Sequence, residues 1–295
     1  MNEPLISIII PNYNYAKYIA KTVDSALTQT YQNIEVVVVD DESKDDSLAV
    51  LGEFGSRIKV IAQTNQGVSA ARNNGVAASS GKLVAFLDAD DLWSPEKLER
   101  QMAVIARDTK IGLVHCWMTY IDTEDRPMGQ MTDGTAGRIA DDILRFDGGG
   151  VIGAGSTSLI PRTVFDEVGG FDARMSTAAD WDISYRIAAC HKIGMVSEPL
   201  VQYRIHNSNM HGNVGAMEHD MVLAMKNAFA DGAAPNGGVG FGNVYKTLAG
   251  SYFRSGQFGS FLRTAALGLY YRPSNLSYFA AFPMRKLKRA SKEAD

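Results

Sequence analysis

Short apolar runs rich in β-branched residues recur along the first 120 residues of the chain, separated by segments of helical length. The runs are LISIIIP (5–11), IEVVVVD (34–40), RIKVIAQ (57–63), KLVAFLD (82–88) and IGLVHCWMTY (111–120). Because nearly every position is apolar, such runs are typical of strands covered on both faces, as in a parallel sheet. The helical segments between them are 16–28, 45–54, 67–79 and 95–108. This βαβα alternation predicts an open α/β sheet.

Carboxylates cluster where two of these predicted strands end. Asp40 and Asp41 close the second strand, and Asp88, Asp90 and Asp91 close the fourth. Ligands of open α/β sheets collect beyond the carboxyl ends of the strands, so both groups are expected at the binding edge. Two carboxylates about 4 Å apart repel by roughly 4 kcal/mol at an effective dielectric of about 20. The second cluster therefore needs either full solvation or a counter-charge.

Composition and charge narrow the class of partner. The 295 residues are 45% hydrophobic and 21% charged, as in an ordinary globular protein. A net charge of −4 and a pI of about 5.8 argue against a domain that grips nucleic-acid phosphates. The two cysteines, Cys116 and Cys190, form no CxxC pair, so a zinc site is not indicated. Since no apolar run approaches the roughly 18 residues of a membrane span, a cytoplasmic protein is expected.

A composition shift near residue 215 predicts a domain boundary. Residues 1–215 would form the α/β domain, with a first half at about 1–120 and a second at about 121–215. Residues 216–295 have a helical pattern, interrupted by the Gly/Pro-rich segment 231–242, and predict a helical C-terminal extension.

Five segments in a fixed order carry a family resemblance. They are PNYNYAKYIAKTVDSALTQTYQNIEVVVVDDESKDDS (11–47), NQGVSAARNNGVAASSGKLVAFLDADDLWSPEKL (65–98), FDEVGGFD (165–172), ADWDISYR (179–186) and PLVQYRIH (199–206). Together they resemble the family 2 (GT2) glycosyltransferases over about residues 5–210. The resemblance implies a GT-A fold, a Rossmann-like α/β/α sandwich with a mainly parallel, mixed central sheet. It also implies transfer of a sugar from a nucleotide-activated donor with inversion.

Asp88-Ala89-Asp90 resembles the DXD motif of that family. By resemblance, Asp90 would bind the metal, Asp88 would contact the ribose or the metal, and Asp91 would support them. Mn²⁺ or Mg²⁺ is the implied cofactor, because these cations take hard oxygen ligands and neutralise a departing diphosphate. Read without the other motifs, the same acids would simply end a strand and begin a turn.

The resemblance also implies a nucleotide site. Asp41 would contact the base, uracil, while Pro11, Tyr13 and Asn14 would flank the nucleotide and Arg72 would add a positive charge. From the local sequence alone, Tyr13 is equally well explained as a half-buried aromatic in a β–α turn. Arg72 has the alternative of a solvated helix arginine.

Asp180 occupies the position of the family's catalytic base. The family presents a Glu-Asp pair at the start of a helix, and this chain has Ala179-Asp180, so the glutamate is missing. Asp180 would remove the acceptor proton, with Asp182 as the alternative base, although an acid at a helix N-terminus is also favoured without catalysis. His206 ends YRIH, where the family often places a histidine near the diphosphate or metal; a packing histidine is equally compatible.

The last third interleaves aromatic and basic residues. Five basic residues fall within the last eleven positions: Arg285, Lys286, Lys288, Arg289 and Lys292. A basic amphipathic segment beside aromatics can lie on an anionic membrane, so a peripheral membrane contact is one expectation. A helix packed on the core with a solvated basic tail is the other.

Together these features predict a metal-dependent inverting glycosyltransferase. It would move a sugar from a nucleotide diphosphate, UDP, to a hydroxyl of a glycan or lipid-linked glycan, as in cell-surface polysaccharide synthesis. One alternative is a sugar-1-phosphate nucleotidyltransferase, but PNYNYAKY is not the Gly-rich basic loop that such enzymes carry. Another is a Mg²⁺-binding phospho-acceptor module without enzymatic activity, which leaves ADWD and YRIH unexplained.

Overall fold

The computed structural model of the chain describes residues 3–206, 213–230 and 237–281. The chain divides into two compact units. The first comprises Met1–Ile143 and Gly148–Gly212, and the second comprises Leu144–Asp147 and Asn213–Asp295. The domain bounds inferred from composition stay a prediction, because compactness alone does not define an independently folding domain.

One sheet runs through the described part of the first unit. Its strand order is β3-β2-β1-β4-β8-β6-β9-β5, and β7 pairs with β6 beside this path. The strands are β1 (Ile6–Asn12), β2 (Ile34–Asp40), β3 (Lys59–Ala62), β4 (Leu83–Phe86), β5 (Leu92–Trp93), β6 (Ile111–Ile121), β7 (Pro127–Met131), β8 (Leu159–Pro161) and β9 (Lys192–Arg204).

Strand direction divides the sheet into a parallel half and a mixed half. β1 pairs in parallel with β2 and β4, and β2 pairs in parallel with β3. β8 is antiparallel to both β4 and β6, whereas β6 and β9 are parallel. The predicted mainly parallel, mixed sheet is therefore confirmed. Because β1, β2 and β4 run the same way, their carboxyl ends share one edge, where the predicted acidic groups lie.

Eight α-helices lie within residues 3–206, and four of them fall close to predicted positions. They are α1 (Ile19–Leu27), α2 (Ser47–Gly52), α3 (Val68–Ala77), α4 (Lys97–Ile105), α5 (Ala140–Arg145), α6 (Ala154–Thr157), α7 (Arg162–Glu167) and α8 (Ala179–Cys190). The four predicted between strands correspond to α1–α4 and begin one to three residues later than the sequence indicated. Such small shifts at helix ends are common, because terminal turns fray or tighten.

Both faces of the central strands are buried, which explains why their sequences do not alternate. Ile8, Ile9 and Ile10 are consecutive and each is 0% exposed. Successive side chains of a strand point to opposite faces, so a run of buried residues requires cover on both sides. Val37 and Val38 on β2 are equally buried. The core thus holds the parallel strands rigidly and positions the loops at their carboxyl ends.

The second unit is helical. Its helices are α9 (Val214–Ala230), α10 (Gly237–Arg254), α11 (Phe258–Tyr271) and α12 (Leu276–Ala280). α10 and α11 pack through aromatic pairs, with ring centroids 5.2 Å apart both for Phe241 and Tyr271 and for Phe253 and Phe261. The predicted helical C-terminal extension is therefore confirmed. Within the described residues, every helix is too short or too polar to cross a membrane.

Candidate active site

The acidic loop, which we define as Asp88–Asp91, leaves the sheet at the carboxyl end of β4. The Asp91 amide donates to the Asp88 carbonyl at 3.1 Å and closes a turn. The side chains of Asp88 and Asp90 are 29% and 8% exposed, and Asp91 is fully buried. Three acids that look alike in the sequence therefore occupy three different environments.

Asp91 anchors the acidic loop to the rest of the first unit. Its Oδ2 accepts a hydrogen bond from the Ser156 hydroxyl at 2.5 Å, and its Oδ1 accepts one from the Arg204 amide at 2.9 Å. Burial, followed by the charges of Asp90 and Asp88, raises the pKa of Asp91 well above its usual range. With both oxygens engaged by the chain, Asp91 supports the loop, as the resemblance implied.

Asp90 and His206 contact each other directly. His206 Nε2 lies 2.8 Å from Asp90 Oδ2, although β9 and β4 are far apart in the chain. The imidazole stacks on Tyr18, with ring centroids 5.4 Å apart. The Arg204 Nε donates to the Asp90 carbonyl at 2.8 Å and fixes the backbone there. The structure thus brings together two of the three predicted metal ligands.

Asp88 pairs with Arg72, the arginine predicted to lie near the nucleotide. Arg72 Nη2 lies 2.6 Å from Asp88 Oδ1, and Arg72 is 3% exposed. Its guanidinium also lies over the face of Phe171, 5.1 Å from the ring centroid. A solvated helix arginine, the alternative, is therefore wrong. A Cβ added at Gly155 would lie 2.9 Å from both Arg72 Nη2 and Asp88 Oδ2, so only a glycine leaves this pair its space.

Asp180 lies in the first turn of α8 and shares the electrostatic environment of the acidic loop. Its Oδ1 accepts a hydrogen bond from the Trp181 amide at 2.8 Å. Burial first, and then the charges of Asp91, Asp88, Asp90 and Asp180, raise the pKa of Tyr203. The charges of Asp180 and of the three acids of the acidic loop thus all act on the same tyrosine hydroxyl.

Asp182, the alternative base, forms an ion pair with Arg186. Its Oδ2 accepts hydrogen bonds from Arg186 Nη2 at 2.6 Å and Nε at 2.9 Å. Arg186 in turn donates to the carbonyls of Val168 and Gly170. Asp182 is 2% exposed, so this bidentate pair ties α8 to the FDEVGG turn and leaves Asp182 little access to a substrate.

The residues predicted to flank the nucleotide follow β1. Pro11 is buried within the strand and pairs with Val39. Tyr13 is 45% exposed, so its ring has a free face. Asn14 adopts a left-handed conformation with φ 61°, and its side chain accepts a hydrogen bond from the Lys44 amide at 2.7 Å. Asn14 therefore shapes the loop, while Tyr13 offers the accessible surface.

Asp41 organises the turn that precedes α3. Its Oδ1 accepts hydrogen bonds from the Gln66 amide and the Gln63 side chain, both at 2.8 Å. Its Oδ2 accepts one from the Gly67 amide at 2.9 Å. A carboxylate has about four lone-pair sites, so a contact with a base would use the capacity that remains.

Ala89 faces the core although its motif lies at the site. It is 3% exposed and packs in the main hydrophobic cluster. Its carbonyl accepts a hydrogen bond from the Thr22 hydroxyl at 2.9 Å. A contact between the Ala89 side chain and a nucleotide is therefore sterically disfavoured, and Ala89 acts as the spacer that turns Asp88 and Asp90 toward different partners.

A divalent cation suits the chemistry of the acidic loop, although the loop is no closed metal cage. Among residues 3–206, 213–230 and 237–281, no three His, Cys, Asp or Glu side chains converge to hold a metal ion. Mg²⁺ and Mn²⁺ sites at phosphates commonly use only one or two carboxylates, with substrate oxygens completing the shell. Asp88 and Asp90 supply such hard oxygens, and Arg72 offsets one of the three negative charges.

Sequence reasoning missed Arg204 and Ser156. Arg204 is 1% exposed, places its guanidinium 4.7 Å from the centroid of the Tyr18 ring, and contacts two residues of the acidic loop. Its role depends on where β9 ends relative to the acidic loop, and no local pattern of the sequence indicates that position. The Ser156 hydroxyl donates a hydrogen bond to Asp91 and accepts one from the Asp88 amide at 3.1 Å. Ser156 lies in a Gly-rich segment that carries no recognisable motif.

Comparisons with known proteins agree on one family. The family model described as glycosyl transferase family 2 matches residues 7–169. An uncharacterized glycosyltransferase of Nostoc sp. is 38% identical over 220 residues, which is 70% of this chain and 66% of that protein. The chain spans 65–66% of the length of the first such relatives.

Solved structures with similar folds extend the comparison. S. aureus TarS 1–349 in complex with UDP-GlcNAc has a TM-score of 0.60 at 16% identity, with 91% of this chain and 92% of that chain covered. The mannosyltransferase PcManGT from Pyrobaculum calidifontis, in complex with GDP-Man and Mn²⁺, has a TM-score of 0.62 at 20% identity, with 98% and 83% covered. At these identities the likeness shows the fold alone, and the predicted GT-A fold is confirmed.

Proposed function

The chain belongs to glycosyl transferase family 2, and on that premise we propose that it is a metal-dependent inverting glycosyltransferase. The observation that carries this proposal is the geometry of the acidic loop at the carboxyl end of β4, where Asp88 pairs with Arg72 and Asp90 contacts His206. An inverting transfer needs a base on one side of the anomeric carbon and a way to neutralise the leaving diphosphate on the other. We assign the first task to Asp180, in the first turn of α8, and the second to a cation held at the acidic loop.

The donor we propose is a nucleotide diphosphate sugar with UDP as the nucleotide. Tyr13 is exposed beside β1 and can stack on a base, and Asp41 retains acceptor capacity at the end of β2. Among proteins with the same fold, TarS is solved with UDP-GlcNAc and PcManGT with GDP-Man, so the fold accommodates both nucleotides. The choice of UDP rests on Asp41, the residue that resembles the family's uracil contact.

Asp88, Asp90 and His206 are the residues that would hold Mn²⁺ or Mg²⁺. When bound, the cation would neutralise the charge of the diphosphate and ease its departure. Of the chain's own groups, Arg72 holds Asp88 in place and Tyr18 holds the His206 ring. Ligation by His206 would replace its present hydrogen bond to Asp90.

Asp180 is the base in this proposal. It would accept the proton of the acceptor hydroxyl as that oxygen attacks the anomeric carbon. The Trp181 amide hydrogen bond and the N-terminus of α8 both favour the ionised carboxylate, which is the form a base requires. Ala179 stands where the family has the glutamate of the Glu-Asp pair. Because Ala179 is fully buried, it packs in the core and does not replace the glutamate as a contact for the acceptor substrate.

The acceptor in this proposal is a hydroxyl of a glycan or lipid-linked glycan, used in cell-surface polysaccharide synthesis. Such an acceptor would place the enzyme in the cytoplasm, at the inner face of the membrane. Both points follow from the family resemblance together with the basic composition of the C-terminal region.

Asp180→Asn separates binding from catalysis. We expect transfer to fall by roughly 10²–10⁴-fold, because the amide cannot accept the proton, while UDP affinity in the presence of Mn²⁺ stays within about twofold of wild type. Release of UDP from a nucleotide sugar measures turnover, and titration calorimetry measures binding. Asp24→Asn, an exposed acid on α1, is the matched control and should leave both unchanged. Wild-type turnover by Asp180→Asn would refute the assignment of the base.

A further inference from the structure

The C-terminal region has a charge unlike that of the rest of the chain. Residues 232–292 contain nine Lys and Arg and not one Asp or Glu. From residue 213 to the end there are ten basic and five acidic residues, a net charge of +5, while residues 1–212 have a net charge of −9. A long basic segment on an acidic protein indicates an anionic partner for that region alone.

Within this region, α11 exposes an apolar face. Phe258, Leu262 and Tyr270 are 58%, 66% and 79% exposed, and Ala266 between them is exposed as well. These four residues recur every four positions, so they form one continuous row along the helix. We call this row the α11 stripe. Large apolar residues that are exposed singly are common, but a row of this kind is unusual on a protein that stays in water.

The opposite face of α11 explains why the stripe cannot turn inward. Thr264 and Gly268 are buried against α10. A Cβ at Gly268 would lie 3.3 Å from the Lys246 amide nitrogen, so the two helices approach closely at this glycine. Rotation of α11 would lose that contact and the stacking of Tyr271 on Phe241. The stripe is therefore a fixed outer surface of the helix pair.

We propose that the α11 stripe docks on a bilayer that contains anionic phospholipids. Phenylalanine, leucine and tyrosine suit the boundary between headgroups and acyl chains, and the net charge of +5 on residues 213–295 suits anionic headgroups. A second copy of the chain is a poorer occupant, because it would bring two positively charged regions together. Nucleic acid is poorer too, since phosphates are recognised by basic side chains and would leave the apolar row exposed to water.

The proposed surface differs from the one that the sequence predicted. The sequence-based expectation of a membrane contact rested on Arg285, Lys286, Lys288, Arg289 and Lys292, which lie outside the described residues. The α11 stripe is an apolar surface, which the sequence analysis did not identify.

Binding to vesicles tests this proposal on the full chain. The wild type should sediment with phosphatidylcholine vesicles containing about 30% phosphatidylglycerol, should bind pure phosphatidylcholine far more weakly, and should be released by added salt. The variant Phe258→Ser/Leu262→Gln/Tyr270→Ser should bind the anionic vesicles roughly tenfold or more weakly. All three side chains are exposed, so the variant is expected to fold, and its circular dichroism should match that of wild type.

Met128→Gln is the matched control, because Met128 is an equally exposed apolar residue, at 62%, on β7 of the first unit. It should bind vesicles like wild type. Equal binding by the triple variant and wild type would overturn the proposal, as would binding of wild type to duplex DNA in place of vesicles. The inference rests on the proposed lipid-linked acceptor, but the two can fail separately: vesicle binding reports the docking surface, and UDP release with a soluble acceptor reports the proposed activity.

Discussion

At the scale of single residues, the least expected side chain is Lys97, a buried cation behind the acidic loop. It is 0% exposed, donates to Gln101 Oε1 at 2.9 Å, and lies 3.8 Å from the centroid of the Trp93 ring. Burial lowers the pKa of Lys97 to about 7. Gln101 also donates to the carbonyl of Thr157, the neighbour of Ser156, so Lys97 and the acidic loop share a hydrogen-bonded framework.

Lys97 should make the stability of the protein depend on pH. The pKa of Lys97 is about 7 in the folded chain and 10.5 in the unfolded one, so between these values only the unfolded chain holds the proton. The unfolding free energy of wild type therefore rises with pH across this window, and charged Lys97 is most costly below pH 7. Lys97→Met should remove this contribution. The gain in stability from the substitution should be roughly 2 kcal/mol larger at pH 7 than at pH 9.

Urea unfolding at several pH values between 6 and 9 measures the difference. Lys110→Met provides the control, because Lys110 is exposed and its substitution should change the unfolding free energy by the same amount at every pH. If the unfolding free energies of Lys97→Met and wild type run parallel from pH 6 to 9, Lys97 keeps its proton and the account of its burial is wrong.

The partners of the site residues could not be predicted from the sequence. The motifs pointed to Asp88, Asp90, Asp180 and His206, because residue type and spacing resemble a known family. Asp90 and His206 are 116 positions apart, and nothing local indicates that they would contact each other. Arg204 was missed for the same reason: its role depends on where β9 ends relative to the acidic loop. Long-range pairing is a property of the fold and not of the motif.

At the scale of elements, the short helix α6 is the support of the acidic loop. It spans only Ala154–Thr157, yet the hydroxyl of Ser156 donates a hydrogen bond to Asp91 and accepts one from the Asp88 amide. Gly155 in the same turn leaves room for Arg72 and Asp88. A helix of one turn has little stability of its own, so α6 depends on these contacts for its position. The loop and the helix therefore order each other.

Gly155→Ala should disturb this arrangement with little loss of stability. The added methyl would crowd Arg72 and Asp88, so we expect affinity for UDP with Mn²⁺ to fall by about tenfold or more. Gly52→Ala is the matched control, because a Cβ at Gly52 would meet no atom within 4 Å. Titration calorimetry compares the three proteins. Wild-type affinity in Gly155→Ala would show that the Arg72–Asp88 pair does not contribute to binding.

Which elements could be predicted follows from their length and burial. The long β-branched runs of β1, β2 and β6 gave clear signals because both faces are buried. β5 has two residues and β8 has three, which is too short for any periodicity. The sequence predicted a helix from residue 95, but α4 begins at Lys97, and the amide of Ser94 donates a hydrogen bond to the Leu200 carbonyl. The short antiparallel strands β5 and β8 were thus beyond sequence reasoning, whereas the long buried runs were not.

At the scale of the whole molecule, opposite charges distinguish the two compact units. The first unit is acidic and holds the carboxylates proposed to handle the metal and the acceptor proton. The second consists mainly of residues 213–295, which have a net charge of +5, and it exposes the α11 stripe. This division predicts that substitutions in the α11 stripe alter vesicle binding but not turnover of a soluble acceptor, and that substitutions in the acidic loop do the reverse.

Metal-dependent stabilisation by a panel of nucleotide sugars tests the central claim most directly. A ligand that binds only the folded state stabilises it, by about 2.7 kcal/mol at 100 times its Kd. We predict that UDP sugars raise the Tm of wild type with Mn²⁺ or Mg²⁺, that EDTA removes the effect, and that Asp90→Asn shows little of it. Equal stabilisation of wild type and Asp90→Asn, or stabilisation that persists in EDTA, would contradict a metal-dependent nucleotide site at the acidic loop.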